Sequence, residues 1–398
     1  MSEPVTLPLH MRRDGFDPVP EVAALREGEG VAKVPMLFGM EAWLVTRYAD
    51  VRAVLGDHVR FTNTRQARFR PPGMPEMTEE EIARLQAGNL LVLDPPEHTR
   101  LRRFLTPEFT MHRMRALEPR VRAIVAGRLD ALERTGPPAD LVTGFALPVP
   151  SLVICELLGV PEGDRDEFQR RTGRMLDLAV PIEERVALQR EGHAYMTDLI
   201  ARTRAEPGED LLGMLVREHG DELTTDELVG VGNFLLIAGH ETTANMLSLG
   251  TLALLRHPDQ MESLRREPGR ADAAVEELLR WLSVVHFGTA KVTTTDVEVA
   301  GRRIPEGELV IVALSAANRD PVLGEDADRL DLGRDGPGHV AFGHGVHHCL
   351  GAPLARMELR IAFPALLSRF PALKEAGAGA GFRSSHFVYG LNSLPVTW

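Results

Sequence analysis

Phe342-Gly-His-Gly-Val-His-His-Cys349-Leu-Gly351 sets one cysteine among three glycines, directly ahead of an apolar stretch with helical spacing. A cysteine at a helix start meets free backbone N–H groups and the positive end of the helix dipole. Both favour the thiolate over the thiol. The glycines let the backbone approach a large flat ligand. A thiolate on haem iron pushes electron density onto the metal and favours O–O cleavage. Read alone, the segment fits a buried cysteine beside a Gly-rich turn equally well.

A second segment, Ala238-Gly-His-Glu-Thr-Thr243, interrupts an otherwise apolar stretch with polar residues. Gly239 would thin a helix where a ligand approaches. The Thr242 hydroxyl can bond back to the carbonyl four residues earlier and open the helix locally. Glu241 then supplies a carboxylate beside that hydroxyl, a pair able to relay protons. The competing reading is a kinked core helix whose polar groups satisfy each other. A zinc-protease motif is excluded, because the residue four after His240 is Ala244. Third, Glu277 and Arg280 carry opposite charges at i and i+3, a pattern that by itself describes many surface ion pairs.

These residues need rigid elements to position them, and the periodicity is mostly helical. Helices are expected at 111–133, 151–158, 164–175, 183–204, 225–256, 270–282 and 350–369, the last with Pro364 as a possible bend. The longest opens with Thr-Asp-Glu and stops at His257-Pro258. At 1.5 Å per residue it runs roughly 45–50 Å. It is apolar on most sides and belongs in the centre of the molecule. Short strands are expected at 42–46, 296–300 and 308–314 in one small sheet, to which 387–397 could add. The expectation is a mainly α fold with a small β part.

Composition sets further bounds. The 398 residues carry 44% hydrophobic and 26% charged side chains and a net charge of -12, which argues against a bulk nucleic-acid binder. Only two cysteines occur, so a reducing compartment is the simpler reading, and Cys155 in its apolar helix reads as inert. The N-terminus lacks a signal-peptide pattern and no window reaches the apolar length of a membrane span. One domain over 1–398 and a cytoplasmic location are expected.

In this order and spacing, the three segments resemble the bacterial soluble cytochromes P450 over essentially the full chain. Phe342, Gly345, His347, Cys349 and Gly351 match the haem-binding signature, Ala238 to Thr243 the oxygen-activation motif, and Glu277 with Arg280 the family's buried Glu-x-x-Arg pair. The resemblance implies the cytochrome P450 fold, with haem b (heme b, iron protoporphyrin IX) between the long central helix and the cysteine-bearing helix. It implies Cys349 as iron ligand, Glu241 as acid, Thr242 as alcohol and Arg334 as third partner of the ion pair. His98 and Arg102, in Asp94-Pro-Pro-Glu-His-Thr-Arg-Leu-Arg102, look like propionate ligands, and His347 joins them. Lys291 falls where relatives carry an arginine, which keeps the charge and loses the bidentate fork. Gly324 stands where relatives often have an aromatic.

The resemblance also implies monooxygenation of a bulky apolar substrate by O2, as in enzymes that tailor macrolides and other polyketides. The pocket would include Leu91, Val92, Leu178, Leu236, Ala238, Val285, Phe287 and Phe387. Phe69 and the arginines 65, 68 and 70 come from a neighbouring loop. Electrons would come from NAD(P)H through separate proteins, an iron–sulfur ferredoxin and its reductase, because no Gly-x-Gly-x-x-Gly loop is present. Between Arg100 and Arg128 eight basic residues face only Glu108 and Glu118, a candidate docking face that could equally be a solvated helix. The rival readings are a peroxide-driven peroxygenase, a non-catalytic haem sensor, and a zinc site at His344, His347, His348 and Cys349.

Overall fold

The computed structural model describes residues 7–64, 78–286, 290–335, 338–377, 379–383 and 385–398. Its helices of consequence are α1 (Glu97–Leu105), α2 (Met111–Thr135), α3 (Pro148–Leu158), α4 (Arg165–Leu176), α5 (Ile182–Ala205), α6 (Thr225–Arg256), α7 (Ala271–Leu282) and α8 (Ala352–Arg369). The central α6 begins where its sequence says it should. Thr224 accepts from the Glu227 N–H and the Glu227 carboxylate accepts from the Thr224 N–H, which satisfies two donors otherwise orphaned at the helix start.

Helix α6 packs against α3, α5 and α8, and small residues set how close they come. A Cβ on Gly239 would stand 2.8 Å from Ile154 of α3, and one on Gly250 2.5 Å from Phe363 of α8. Gly239 therefore serves the crossing of α6 and α3, and it also lines the cavity. The helix also stays continuous through Thr242, so the back-bonded threonine does not open it. Pro364 likewise lies inside an uninterrupted α8.

A five-stranded sheet stands beside the helices. Its strands are β1 (Val31–Pro35), β2 (Glu41–Val45), β3 (Phe61–Thr62), β4 (Ala290–Thr293) and β5 (Leu309–Val312), ordered β1-β2-β5-β4-β3. Only β2 and β5 run parallel, with Val310 opposite Trp43. Lys291 of β4 lies opposite Val310 on the other side. The sequence expectation of one sheet holding 296–300, 308–314 and the C-terminus is corrected here. Val297–Val299 pairs with Arg302–Ile304 as a separate hairpin. The C-terminal strands Leu391–Ser393 and Pro395–Thr397 join Gly381–Phe382 and, in another small sheet, Lys374–Glu375 and Ala139–Asp140. Strands of three residues carry too little alternation to name their partners.

The main apolar core runs along α2, α3, α5, α6, α7 and α8, and two smaller clusters flank the five-stranded sheet. No helix among the described residues is long and apolar enough to cross a membrane.

Candidate active site

A cavity of about 940 Å³ opens between α6 and the loop that leads into α8. One side is formed by Phe342, His347, Cys349 and Gly351, the other by Leu236, Ala238, Glu241 and Thr242. Leu91, Val92, Val285 and Phe387 also line it. Leu178 does not: it is buried, and its N–H donates to the Ser385 carbonyl at 2.7 Å, while Met175 and Leu176 of the same segment face the cavity. Phe287, Phe69 and the arginines 65, 68 and 70 lie outside the described residues.

The cysteine loop is shaped by Gly345. Its φ is +72°, and a Cβ there would stand 2.6 Å from the Leu55 carbonyl oxygen. Both facts require glycine. The Cys349 N–H donates to the Phe342 carbonyl at 2.9 Å, closing the loop on itself. Cys349 is exposed, yet to the cavity and not to the outside. At the helix start the N–H groups of Gly351 and Ala352 favour the thiolate, as the sequence argument says, but they are not the largest influence. Enclosure raises the thiol pKa, and this outweighs the opposing N–H groups of Gly351 and Ala352 and the charges of Arg102 and Arg356.

Four basic side chains gather at one edge of the cavity: His98, Arg102, Lys291 and His347. The rings of His98 and His347 lie 4.3 Å apart, and both ring nitrogens of His98 are buried without a partner. Arg102 donates to the carbonyls of Val346 and His348 at 3.0 and 2.6 Å. Lys291 is 2% exposed and makes no hydrogen bond among the described residues. Burial lowers His98 to about 4, with His347 and Arg102 adding to the shift, and lowers Lys291 to about 8. Asp94 is the carboxylate among them, 3.8 Å from His347. It is bonded to the Asn63 and Thr64 N–H groups and the Thr62 hydroxyl, and is held low despite its burial. The orphaned His98 nitrogens and the Lys291 ammonium, with no bonded acid at the cavity edge, fit the two carboxylates of the haem that the resemblance implies. Asn63, 2.8 Å from His347, was missed by sequence reasoning, since a lone asparagine carries no signal.

On the opposite wall Thr242 donates to the Ala238 carbonyl at 2.8 Å. Glu241 is 1% exposed. Its Oε2 accepts from Arg383 at 3.1 Å and from Asn245 at 3.2 Å, while Oε1 is buried without a partner. Burial pushes its pKa up, but His240, Arg383 and His386 more than reverse this, so the net shift is down. His240 stands 4.0 Å away and is itself pushed below its ordinary value by burial, against the opposing pull of Glu241. Arg383 and Asn245 were not identified from sequence. Glu358 of α8 also faces the cavity, 2% exposed with one oxygen unpartnered, and burial holds it well above the carboxylate range.

Glu277 and Arg280 are buried and not a surface pair. Arg280 donates twice to Glu277, at 2.6 and 2.8 Å, and also to the carbonyls of Asn318, Ala327 and Arg329. Arg334 donates to Glu277 at 3.2 Å. Gly324, with φ +132°, leaves room for this: a Cβ there would meet Arg334 Nη1 at 2.6 Å. The basic segment 100–128 is more neutral than its sequence suggests. Arg113 pairs with Glu108 and Arg122 with Glu118, but Arg120 reaches Glu156 of α3 and Arg100 reaches Glu227 of α6. Among the described residues no three His, Cys, Asp or Glu side chains converge as metal ligands would.

Residues 183–377 match the family model described as Cytochrome P450. The chain is 48% identical to Cytochrome P450 FAS1 of Rhodococcoides fascians, with all of both chains covered. It is 45% identical to pentalenic acid synthase of Streptomyces avermitilis, covering 100% of this chain and 98% of that one. Among solved structures, P450 StaH from the biosynthesis of a glycopeptide antibiotic superposes with a TM-score of 0.87 at 45% identity, covering 99% of this chain and 100% of that one.

Proposed function

The chain belongs to the cytochrome P450 family and is a haem-dependent monooxygenase; on that premise we propose that it inserts one oxygen atom of O2 into a bulky, mainly apolar small molecule of bacterial secondary metabolism, by hydroxylation or epoxidation. The observation that carries this reading is the convergence on one cavity of Cys349, the four basic groups and the Glu241–Thr242 pair. Pentalenic acid synthase and a P450 of glycopeptide antibiotic biosynthesis, as relatives, support the metabolic setting.

Haem would be held at its iron by Cys349 and at its carboxylates by His98, Arg102, Lys291 and His347, and when bound it supplies the activation of O2. Phe342, Gly345 and Gly351 shape the loop that presents the sulfur. Glu241 Oε1 is the free acceptor for an incoming proton, and Thr242 the hydroxyl that passes it on. Arg383 favours the ionised form of Glu241 through Oε2 and leaves Oε1 free. The apolar lining orients substrate and excludes water. Glu277, Arg280 and Arg334 fix α7 against the segment 318–334 and act structurally.

Electrons would come from NAD(P)H through a reductase and an iron–sulfur ferredoxin, in the cytoplasm. Arg103, Arg115 and Arg128, which make no ion pair among the described residues, are what remains of the basic segment for an acidic partner to meet. The test is the absorption spectrum of the dithionite-reduced protein with and without carbon monoxide. A Soret band strongly red-shifted by carbon monoxide is expected. A band typical of histidine-ligated haem, or protein that takes up no haem, would overturn the assignment of Cys349. Turnover with peroxide and no redox partner would replace the ferredoxin scheme with peroxygenase chemistry.

A further inference from the structure

Four arginines among the described residues are buried: Arg26, Arg171, Arg280 and Arg319. Three of them are wired into the fold. Arg26 donates to the Ala316 carbonyl, Arg280 to Glu277 and three carbonyls, and Arg319 to Asp17, Trp281 and Asp328. Arg171 of α4 is different. It is 9% exposed, lines the cavity, and makes no hydrogen bond or ion pair among the described residues.

The carboxylates near it are already committed. Glu167 takes two hydrogen bonds from Arg170 at the surface, at 3.0 and 2.6 Å. Asp164 accepts from the Tyr195 hydroxyl at 2.9 Å. The Tyr195 ring in turn lies under the Arg171 guanidinium, 5.4 Å from centroid to Cζ, and holds it in place without neutralising it. Asn233 of α6 faces the same part of the cavity and also makes no hydrogen bond among the described residues. The two side chains flank Gly192 of α5. A Cβ there would lie 3.5 Å from Arg171 Nε and 3.8 Å from Asn233 Oδ1. The space between α4, α5 and α6 thus holds a guanidinium and an amide whose side chains make no hydrogen bond or ion pair among the described residues.

A guanidinium cannot shed its proton to escape burial. Glu167 feels its charge but is hydrogen-bonded by Arg170 at the surface, so the Arg171 guanidinium keeps its donors for an anion that enters the cavity. We propose that Arg171 and Asn233 form an anion-binding subsite of the substrate cavity, and that the substrate is an apolar molecule bearing a carboxylate. The planar fork of arginine matches a carboxylate with two parallel hydrogen bonds. The Asn233 amide can donate to the same oxygens. A single cation suits a monoanion better than a phosphate dianion. The subsite is built from α4 and α6, and not from the elements that carry His98 and Lys291, so it anchors one end of the substrate and leaves the apolar remainder for Thr242. The inference rests on the monooxygenase reading and refines its substrate class.

The experiment uses the haem-loaded protein and spectral titration of the Soret band. The probes are dodecanoic acid and abietic acid, each against its methyl ester. The wild type binds at least one acid more tightly than its ester, by about tenfold or more. In Arg171→Gln that preference falls to about twofold or less while ester affinity is kept, and Arg171→Lys recovers part of it. Retained ester binding shows that the variant is folded. If no acid is preferred over its ester, or if Arg171→Gln keeps the preference, the subsite is wrong. The carbon monoxide spectrum of the same samples reports separately on the haem-thiolate reading, so the two failures are distinguishable.

Discussion

Arg383 Nη1 lies 3.1 Å from Glu241 Oε2, joining the segment after Gly381–Phe382 to the middle of the central helix. With His240 and His386 it keeps the carboxylate below its ordinary pKa in spite of the burial that raises it. A depressed folded-state pKa gives stability that is present above the unfolded value and lost as pH falls through the folded one. Arg383→Gln should therefore cost about 1–3 kcal/mol at pH 7. The cost should shrink as pH drops below about 4.5, where the unfolded chain also protonates. Denaturant melts of both proteins at pH 7 and pH 4 check this; a gap independent of pH would refute it.

The Glu277–Arg280 pair supports a graded prediction. Arg280→Met leaves Oε2 of Glu277, 4% exposed, without its partner and takes a donor from three carbonyls, and should cost about 3–5 kcal/mol. Arg334→Ala should cost less, about 1–2 kcal/mol, because Arg280 and the Asp331 N–H still hold Glu277. Equal losses in urea denaturation would contradict the geometry.

Glu358 offers the opposite sign. Its folded pKa is raised by burial, so the stability it contributes is full below about 4.5 and is lost as pH rises toward the folded value. Glu358→Gln should be increasingly stabilising relative to wild type across that window, by up to about 1.4 kcal/mol per pH unit. A variant that is equally or less stable at pH 7 than at pH 4.5, compared with wild type, would mean that the buried acid has a partner.

Lys291 is 2% exposed and faces the cavity edge without a bonded acid. Lys291→Met should release haem to excess apomyoglobin faster, by about tenfold if one charged hydrogen bond is lost. Lys291→Arg should hold it at least as well as wild type. An unchanged transfer rate in the methionine variant would remove Lys291 from the cradle.

The helices and three of the chemical segments were legible in the sequence because each is a local pattern. The start of the central helix at Thr225 follows from Thr224 and Glu227 alone. Cys349 and its glycines are contiguous, as are Glu241 and Thr242. What was not legible comes from residues that meet only in space. Arg383, Asn63 and Arg171 are ordinary polar residues in ordinary stretches, and nothing in their neighbours marks them. The hydroxyl of Thr242 behaved as the local rule says, bonding to Ala238, but the helix did not open. Gly239 lines the cavity, but its second task, making room for Ile154 of α3, had no local signal. The short strands failed for want of length: Val297–Val299 could pair with several partners, and the register is decided by the turn after Val299, not by its own residues.

The two cysteines stand in opposite situations. Cys155 is sealed in the core with its thiol pushed up to about 11, whereas Cys349 looks into the cavity. An alkylating reagent can thus reach one sulfur only, and only by travelling through the space that substrate and cofactor share. The rate at which a single label is taken up becomes a clock for how often that interior is vacant, readable by mass spectrometry without any knowledge of what the protein oxidises.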